Sequence, residues 1–119
     1  MTPSLLVGDD GEIVALGTGG SNRIRTAMLQ VLDVHRDGRG LREAVLSPRI
    51  HVEGGTIQAE TADTPKSVLD ALGGFSERIA LFEGRHLYFG GVHSAVRESS
   101  GRLEAVGDPR RAGSGGVAS

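Results

Sequence analysis

The chain has 119 residues, a formal net charge of -2, 38% hydrophobic residues and 3% aromatic residues. That length suits one domain with a real core, and with so few rings the core must rest on Leu, Ile, Val and Ala. The balanced, mildly acidic charge excludes the basic footprint of a nucleic-acid or anionic-membrane binder, and the absence of Cys excludes disulfides and thiolate chemistry.

In chain order, "PSLLVGDDGEIVALG" reads as a hairpin, with strand-like runs at 5–7 and 12–16 and turn chemistry in "GDDG". Next comes "LGTGGSNRIRTAMLQVL", a glycine-rich turn running straight into an amphipathic helix. Ser21 or Asn22 can cap that helix, and Ile24, Ala27, Met28, Val31 and Leu32 recur at the spacing of one buried face as far as His35. "RDGRG" ends it, since Gly38 and Gly40 release the chain from helical torsions. "LREAVLS" makes a short second helix stopped by Pro48, and "RIHVEGGTIQAE" returns to an extended hairpin pattern. "TPKSVLDALGG" is a third helix, with Thr64 as N-cap, Pro65 at its first position and Gly73 after its last apolar residue. "RIALFE" and "LYFGGVHSAVRE" read as strands joined by "EGRH", and a shorter one, "RLEAVGD", follows the turn "ESSG". The expectation is a single α+β domain over residues 1–111, without the βαβ rhythm of a doubly wound sheet. Residues 112–119, rich in Gly, Ala and Ser, are expected to be a disordered tail.

No apolar run is long enough to span a bilayer, and "MTPSLLVGDDGE" lacks a basic segment followed by an apolar one. The expectation is a soluble chain with no secretory signal in this stretch. His35, His51, His86 and His93 match no zinc spacing and fall in different elements, so neither metal nor cofactor is expected. His35 is placed to favour the negative pole of its helix, and His51 and His93 are read as structural. In "DPRR", Asp108 with Arg110 and Arg111 offers a carboxylate–guanidinium pair that would pin the last strand, and Arg49 is a buried or half-buried ion-pair partner. Asp9 and Asp10 are turn formers.

The turn "GTGGS" is the candidate for chemistry. A helix start has unpaired N–H groups and a partial positive charge, and a Gly-Gly step lets a ligand approach the backbone. Together these make an anion or oxyanion site; the plainer account is a strand turning into a helix. The spacing matches neither the P-loop nor the dinucleotide fingerprint.

"LGTGGSNRIRTAMLQVL", "LREAVLSPRIH", "GGVHSAV" and "GDPRR" together resemble, in order, the C-terminal part of the small subunit of gamma-glutamyltranspeptidases. The resemblance implies the αββα sandwich of the N-terminal-nucleophile hydrolases, of which this chain would hold a part. It implies cleavage of the gamma-glutamyl amide of glutathione and related compounds, with transfer of the acyl group to water or an amine. The nucleophile of such enzymes is a Thr freed by self-cleavage of a precursor, and it lies well upstream of the segment matching Met1. So do a pair of serines that bind substrate just before a Met-Ser-Pro stretch, which "MTPS" resembles. Thr2, Thr18 and Thr26 do not stand where that nucleophile would.

The family turn reads Gly-Ser-Pro-Gly-Gly-Ser-Arg-Ile, its Gly-Gly step donating the oxyanion N–H groups. Aligned without a gap on the helix start, the donors fall on Gly20 and Ser21; aligned on the letters "GGS", on Gly19 and Gly20. Gly19 replaces the family's Pro. The implied reading is a piece of an acyl-transferring hydrolase that supplies the oxyanion turn, lacks the nucleophile and is inactive alone. Its partner would be the remainder of the enzyme or a second copy of itself. The rival reading is a non-catalytic interaction module that keeps part of the sandwich and self-associates through its bare face.

Overall fold

The computed structural model describes residues 3–119. Eight strands and three α-helices alternate in it. Strand β1 (Ser4–Val7) and β2 (Ile13–Gly17) form an antiparallel hairpin. Its turn is closed by the Gly8 amide donating to the Glu12 carbonyl at 2.8 Å, with Gly11 at φ +89°. Helix α1 (Ile24–Val34) follows, then a wide turn over His35–Arg39 in which Gly38 takes φ +85°, then α2 (Leu41–Leu46). Strands β3 (Ile50–Glu53) and β4 (Thr56–Glu60) make the second hairpin, turning on Gly54 and Gly55. Helix α3 (Lys66–Leu72) leads into β5 (Arg78–Phe82), which runs parallel to β4. Strands β6 (His93–Arg97), β7 (Leu103–Val106) and β8 (Gly116–Ala118) close the chain.

Two sheets result, one ordered β1-β2-β6-β7-β8 and the other β3-β4-β5. On one face of the large sheet Val14, Leu16, Val96 and Val106 meet Ala27, Met28 and Val31 of α1 and Leu41, Ala44 and Val45 of α2. This is the apolar stripe expected from the sequence, and it forms the main core. A smaller cluster of Ile57, Ala59 and Leu72 lies on the second sheet. Helix α1 ties the two together, since Thr26 bonds His51 Nδ1 at 2.9 Å and the Gln30 carboxamide bonds both the amide and the carbonyl of Ile50.

The other face of the large sheet is bare. Cross-strand register puts Leu5, Ala15, Ala95 and Ala105 in one row and Ile13 and Leu103 beside them. Leu5 is 70% exposed, Val7 71% and Leu103 48%. A shallow apolar depression of about 530 Å³ runs across Ile13, Ala15, Ala95, Leu103 and Ala105. No helix among the described residues is long and apolar enough to cross a membrane.

Four expectations need correction. The tail is not structureless: β8 pairs with β7, placing Gly116 opposite Ala105 and Ala118 opposite Leu103. Close approach fixes two glycines here: a Cβ on Gly115 would overlap the Ala105 carbonyl oxygen, and one on Gly107, which the tail passes, would overlap the Ser114 backbone. "LYF" is not strand but a single 3-10 turn over Leu87–Phe89, capped by His86 Nδ1, which accepts the Tyr88 amide at 3.0 Å. The rings of Tyr88 and Phe89 fold back onto Phe82, and Gly90 at φ +78° turns the chain before β6 begins. Neither Ser21 nor Asn22 caps α1 with its side chain; Ser21–Arg23 is itself a 3-10 turn feeding the helix. Thr64 does not cap α3 either, because its hydroxyl donates to the Glu60 and Ala62 carbonyls instead.

Candidate functional site

The turn between β2 and α1 is built by a reversal of handedness. Gly20 takes φ +136°, and Ser21 follows at φ +54°, a left-handed conformation uncommon for a residue with a side chain. The chain then drops into the 3-10 turn, with the Arg23 amide donating to the Gly20 carbonyl at 3.0 Å. Among the described residues, the amides of Gly19, Gly20 and Ser21 donate to no carbonyl or side chain. Gly19 and Gly20 are half-buried and Ser21 is exposed. Three adjacent donors at the head of an 11-residue helix are thus unclaimed by the fold, which is the requirement for holding an anion there.

A platform beneath the turn fixes its shape. Thr18 is only 1% exposed; its hydroxyl donates to the Gly19 carbonyl at 2.7 Å and accepts the Gly91 amide at 3.1 Å. Gly90 sits so close that a Cβ there would stand 2.5 Å from the Gly19 oxygen and 2.7 Å from Thr18 Oγ1. Arg23 clamps the other end, donating through Nε to the Tyr88 carbonyl at 2.7 Å while its guanidinium lies 4.2 Å from the Tyr88 ring centre. Asn22 donates to Glu53 Oε1 at 3.0 Å, and this bond, first among several, holds the Glu53 carboxyl below its ordinary value.

Behind the platform lie four buried charges: Arg49, Glu60, Asp108 and Arg110. Arg110 grips Glu60 through two parallel bonds of 2.6 and 2.8 Å, and Arg49 meets Asp108 at 2.7 Å. The remaining lone pairs are filled by main-chain donors: the Arg49 and His86 amides on Glu60, the Val92 and Arg110 amides on Asp108. The guanidiniums donate onward to the carbonyls of Val45, Ser47 and Phe89. Burial alone would raise the Asp108 carboxyl, but the Arg49 charge, then the Arg110 amide and guanidinium and the Val92 amide, outweigh it and hold it low. Burial, joined by the Arg110 charge, lowers Arg49, whereas the bonds and charges of Glu60 and Asp108 overcome burial and raise Arg110. Two guanidiniums thus face two carboxylates, and the formal charges of the cluster balance. The cluster grips both sides of the 90–91 platform, through the Phe89 carbonyl and the Val92 amide.

Asp108 pairs with Arg110, and Arg49 is a buried ion-pair partner, as the sequence suggests; Arg111 makes no ion pair among the described residues, and Glu60 is an addition. It is the last residue of a strand whose inward residues are Ile57 and Ala59, and alternation would send it to solvent. Gly90 and Gly91 are also additions as supports of the turn. Thr18 and Thr26 are spent in hydrogen bonds, to Gly19 and Gly91 and to His51. Thr2 lies outside the described residues. His35 Nε2 lies 3.1 Å from Glu12 Oε1, and His93 Nδ1 accepts the Asp108 amide at 3.2 Å. Among the described residues no group of three or more His, Asp or Glu is arranged to hold a metal ion.

The sequence profile of the family described as gamma-glutamyltranspeptidase matches residues 1–118. The chain belongs to that family. It is 30% identical over 115 residues to a glutathione hydrolase proenzyme of Bacillus subtilis strain 168, over 95% of this chain and 19% of that protein. A proenzyme of the same description from Bacillus subtilis subsp. natto is 34% identical over 79 residues, covering 66% of this chain and 14% of that one. Among solved structures, the Bacillus anthracis transpeptidase CapD superposes with a TM-score of 0.76 at 27% identity, over 96% of this chain and 68% of that chain. The gamma-glutamyltranspeptidase of Pseudomonas nitroreducens, complexed with L-DON, gives 0.75 at 30% identity, over 100% and 62%. The mixed α and β architecture is thus that of the N-terminal-nucleophile hydrolases. This gamma-glutamyltranspeptidase-family chain spans less than a fifth of the length of the curated relatives it matches.

Proposed function

We propose that this chain is the oxyanion-bearing part of an enzyme that cleaves gamma-glutamyl amides and passes the acyl group to water or an amine. A Thr carried by polypeptide outside these 119 residues attacks the gamma-glutamyl carbonyl. The amides of Gly20 and Ser21, with Gly19 beside them, receive the resulting alkoxide. Collapse of that intermediate expels the amine and leaves an acyl-Thr ester, which water or a second amine then opens. The observation that carries the reading is the row of three unclaimed N–H groups on a glycine platform at the head of α1, in a chain of this family. Donors fixed before the substrate arrives need no reorganisation when charge develops, and each such donor is worth roughly 10²–10³ in kcat. Alone, the chain can hold negative charge but has nothing to create it.

Hydrolysis of a chromogenic gamma-glutamyl anilide tests this. The purified chain is expected to be inert and to support turnover once joined to the Thr-bearing polypeptide. In the joined enzyme Gly20→Ala, which forces a Cβ onto a φ of +136°, is expected to lower kcat about 10²-fold. Turnover by the chain alone that survives replacement of Thr2 would overturn the reading.

The bare face of the large sheet favours one further statement about assembly. The rest of the enzyme covers Leu5, Ile13, Ala15, Ala95 and Leu103, and a second copy takes its place when the chain is alone. Light scattering at micromolar concentration is expected to give a dimer, and a monomer would contradict it. Ala95→Arg, which charges the middle of that face without touching the core, is expected to yield a folded monomer.

A further inference from the structure

Helix α1 and the turn before it are laced to β3 by three polar rungs, each four residues after the last. Asn22 donates to Glu53 Oε1 at 3.0 Å, and Thr26 meets His51 Nδ1 at 2.9 Å. Gln30 then bonds both the amide and the carbonyl of Ile50. Partner numbers fall as helix numbers rise, so the strand runs antiparallel to the helix. The spacings agree: four helical residues advance about 6 Å and two strand residues about 6.5 Å. The rungs at Asn22 and Thr26 therefore stay in step with Glu53 and His51. Apolar packing resists separation but is non-directional, whereas hydrogen bonds between fixed atoms set the height of the helix along the strand.

The first rung differs from the other two. Asn22 directly follows Ser21, the last of the three unclaimed donors, while Thr18, fixed to the Gly91 amide, precedes the first. The donors thus hang between two anchors, and Glu53 is the far one. Its side chain is 45% exposed, and a bond at such a site adds little to stability. Yet the carboxylate is steered from behind. His51 is only 6% exposed, and with one ring nitrogen on Thr26 it turns Nε2, which has no hydrogen bond, toward Glu53 Oε2 at 3.5 Å. With its proton on Nε2, the ring accepts from the Thr26 hydroxyl and points its N–H at the carboxylate.

Given the oxyanion reading of the turn, on which this rests, we infer that Glu53 is a positioning residue for the reaction: through Asn22 it sets where the Gly20 and Ser21 amides stand, and His51 orients it. In the assembled enzyme acting on a chromogenic gamma-glutamyl anilide, Glu53→Ala is expected to lower kcat about tenfold with KM retained. A displaced oxyanion donor is missed only in the transition state. Asn22→Ala is expected to match it, and the double variant to be no worse than either single one. Glu53→Gln, which still accepts from Asn22, is expected to recover most of kcat. Gln30→Ala, at the other end of the lacing, is expected to lower thermal stability more than Glu53→Ala does and kcat less. An unchanged kcat in Glu53→Ala, a rise in KM in its place, additive losses in the double variant, or no rescue by Gln overturns the assignment.

A second readout needs no turnover, and so separates failure of this assignment from failure of the oxyanion reading. In the 119-residue chain, the backbone N–H resonances of Gly20 and Ser21 are expected to shift in Glu53→Ala and to return toward the parent's positions in Glu53→Gln. Resonances that Glu53→Ala leaves in place overturn the positioning role, whatever the activity of the enzyme. Resonances that move while kcat stays at the parent's level overturn the oxyanion reading itself, and the role of Glu53 with it.

Discussion

Gly90→Ala tests whether the platform under the turn holds its shape. Two costs add. Gly90 has φ +78° and ψ -166°, a region almost reserved for glycine, and a side chain there costs about 1–3 kcal/mol. The new methyl would also stand 2.5 Å from the Gly19 oxygen and 2.7 Å from Thr18 Oγ1. Both are backbone or fully packed groups that cannot swing aside, so overpacking adds about 1–3 kcal/mol. The total expected is about 2–6 kcal/mol. Gly84→Ala is the matched control: φ is +68° but nothing lies within 4 Å of the new Cβ, so only the left-handed strain of about 1–2 kcal/mol applies. Alanine also stiffens the unfolded chain, by a similar amount at both sites, and this cancels in the comparison. Urea unfolding of the two variants beside the parent measures the difference. In the assembled enzyme a shift of the turn by about 1 Å is expected to cost about 10²-fold in kcat for Gly90→Ala, with Gly84→Ala active. Equal stability and equal activity of the two variants would refute the claim that Gly90 supports the turn.

Other outcomes follow from the buried charges. Arg110→Met leaves Glu60 buried with only the Arg49 and His86 amides for company, and thermal unfolding is expected to show a loss of about 3–5 kcal/mol; a loss below about 1 kcal/mol would contradict the cluster's role. Arg110→Lys is expected to recover little, since one ammonium cannot reproduce the two parallel bonds. Asp108 has a folded-state pKa below its unfolded value of about 3.9, so its contribution is complete above about pH 5 and is lost as pH falls through 4 and below. The stability gap between the parent and Asp108→Asn, followed by denaturant unfolding from pH 7 to 3, is therefore expected to shrink toward the acid end; a gap that widens would reverse the sign of the argument.

Much of the fold is legible because local chemistry and packing agree. The stripe from Ile24 to Leu32 does become the buried face of α1, and the glycine-marked hairpins turn where their torsions demand. That Arg49 and Asp108 are ion-paired follows from residue type, though not that they pair with each other, and the turn at Gly19, Gly20 and Ser21 is legible too. What sequence conceals is contact between distant segments. Glu60 faces away from the Ile57–Ala59 side of its strand, and only the arrival of Arg110 from 50 residues later makes that side interior. "LYFGG" has the composition of a strand, but Phe82 offers its rings a better partner than a sheet does. The Gly-rich end has the composition of a disordered tail, yet it pairs with β7, which passes too close to Gly115 for a side chain there. The platform role of Gly90 likewise depends on Thr18 and Gly19, more than 70 residues earlier, so no local pattern announces it.

The most direct test is a crystal structure of the assembled enzyme trapped as a covalent gamma-glutamyl-type adduct on its Thr. The adduct's carbonyl-derived oxygen should lie about 2.7–3.1 Å from two adjacent backbone nitrogens among Gly19, Gly20 and Ser21. An adduct oxygen held by other donors, with those three amides bonded to main-chain carbonyls, would contradict the account.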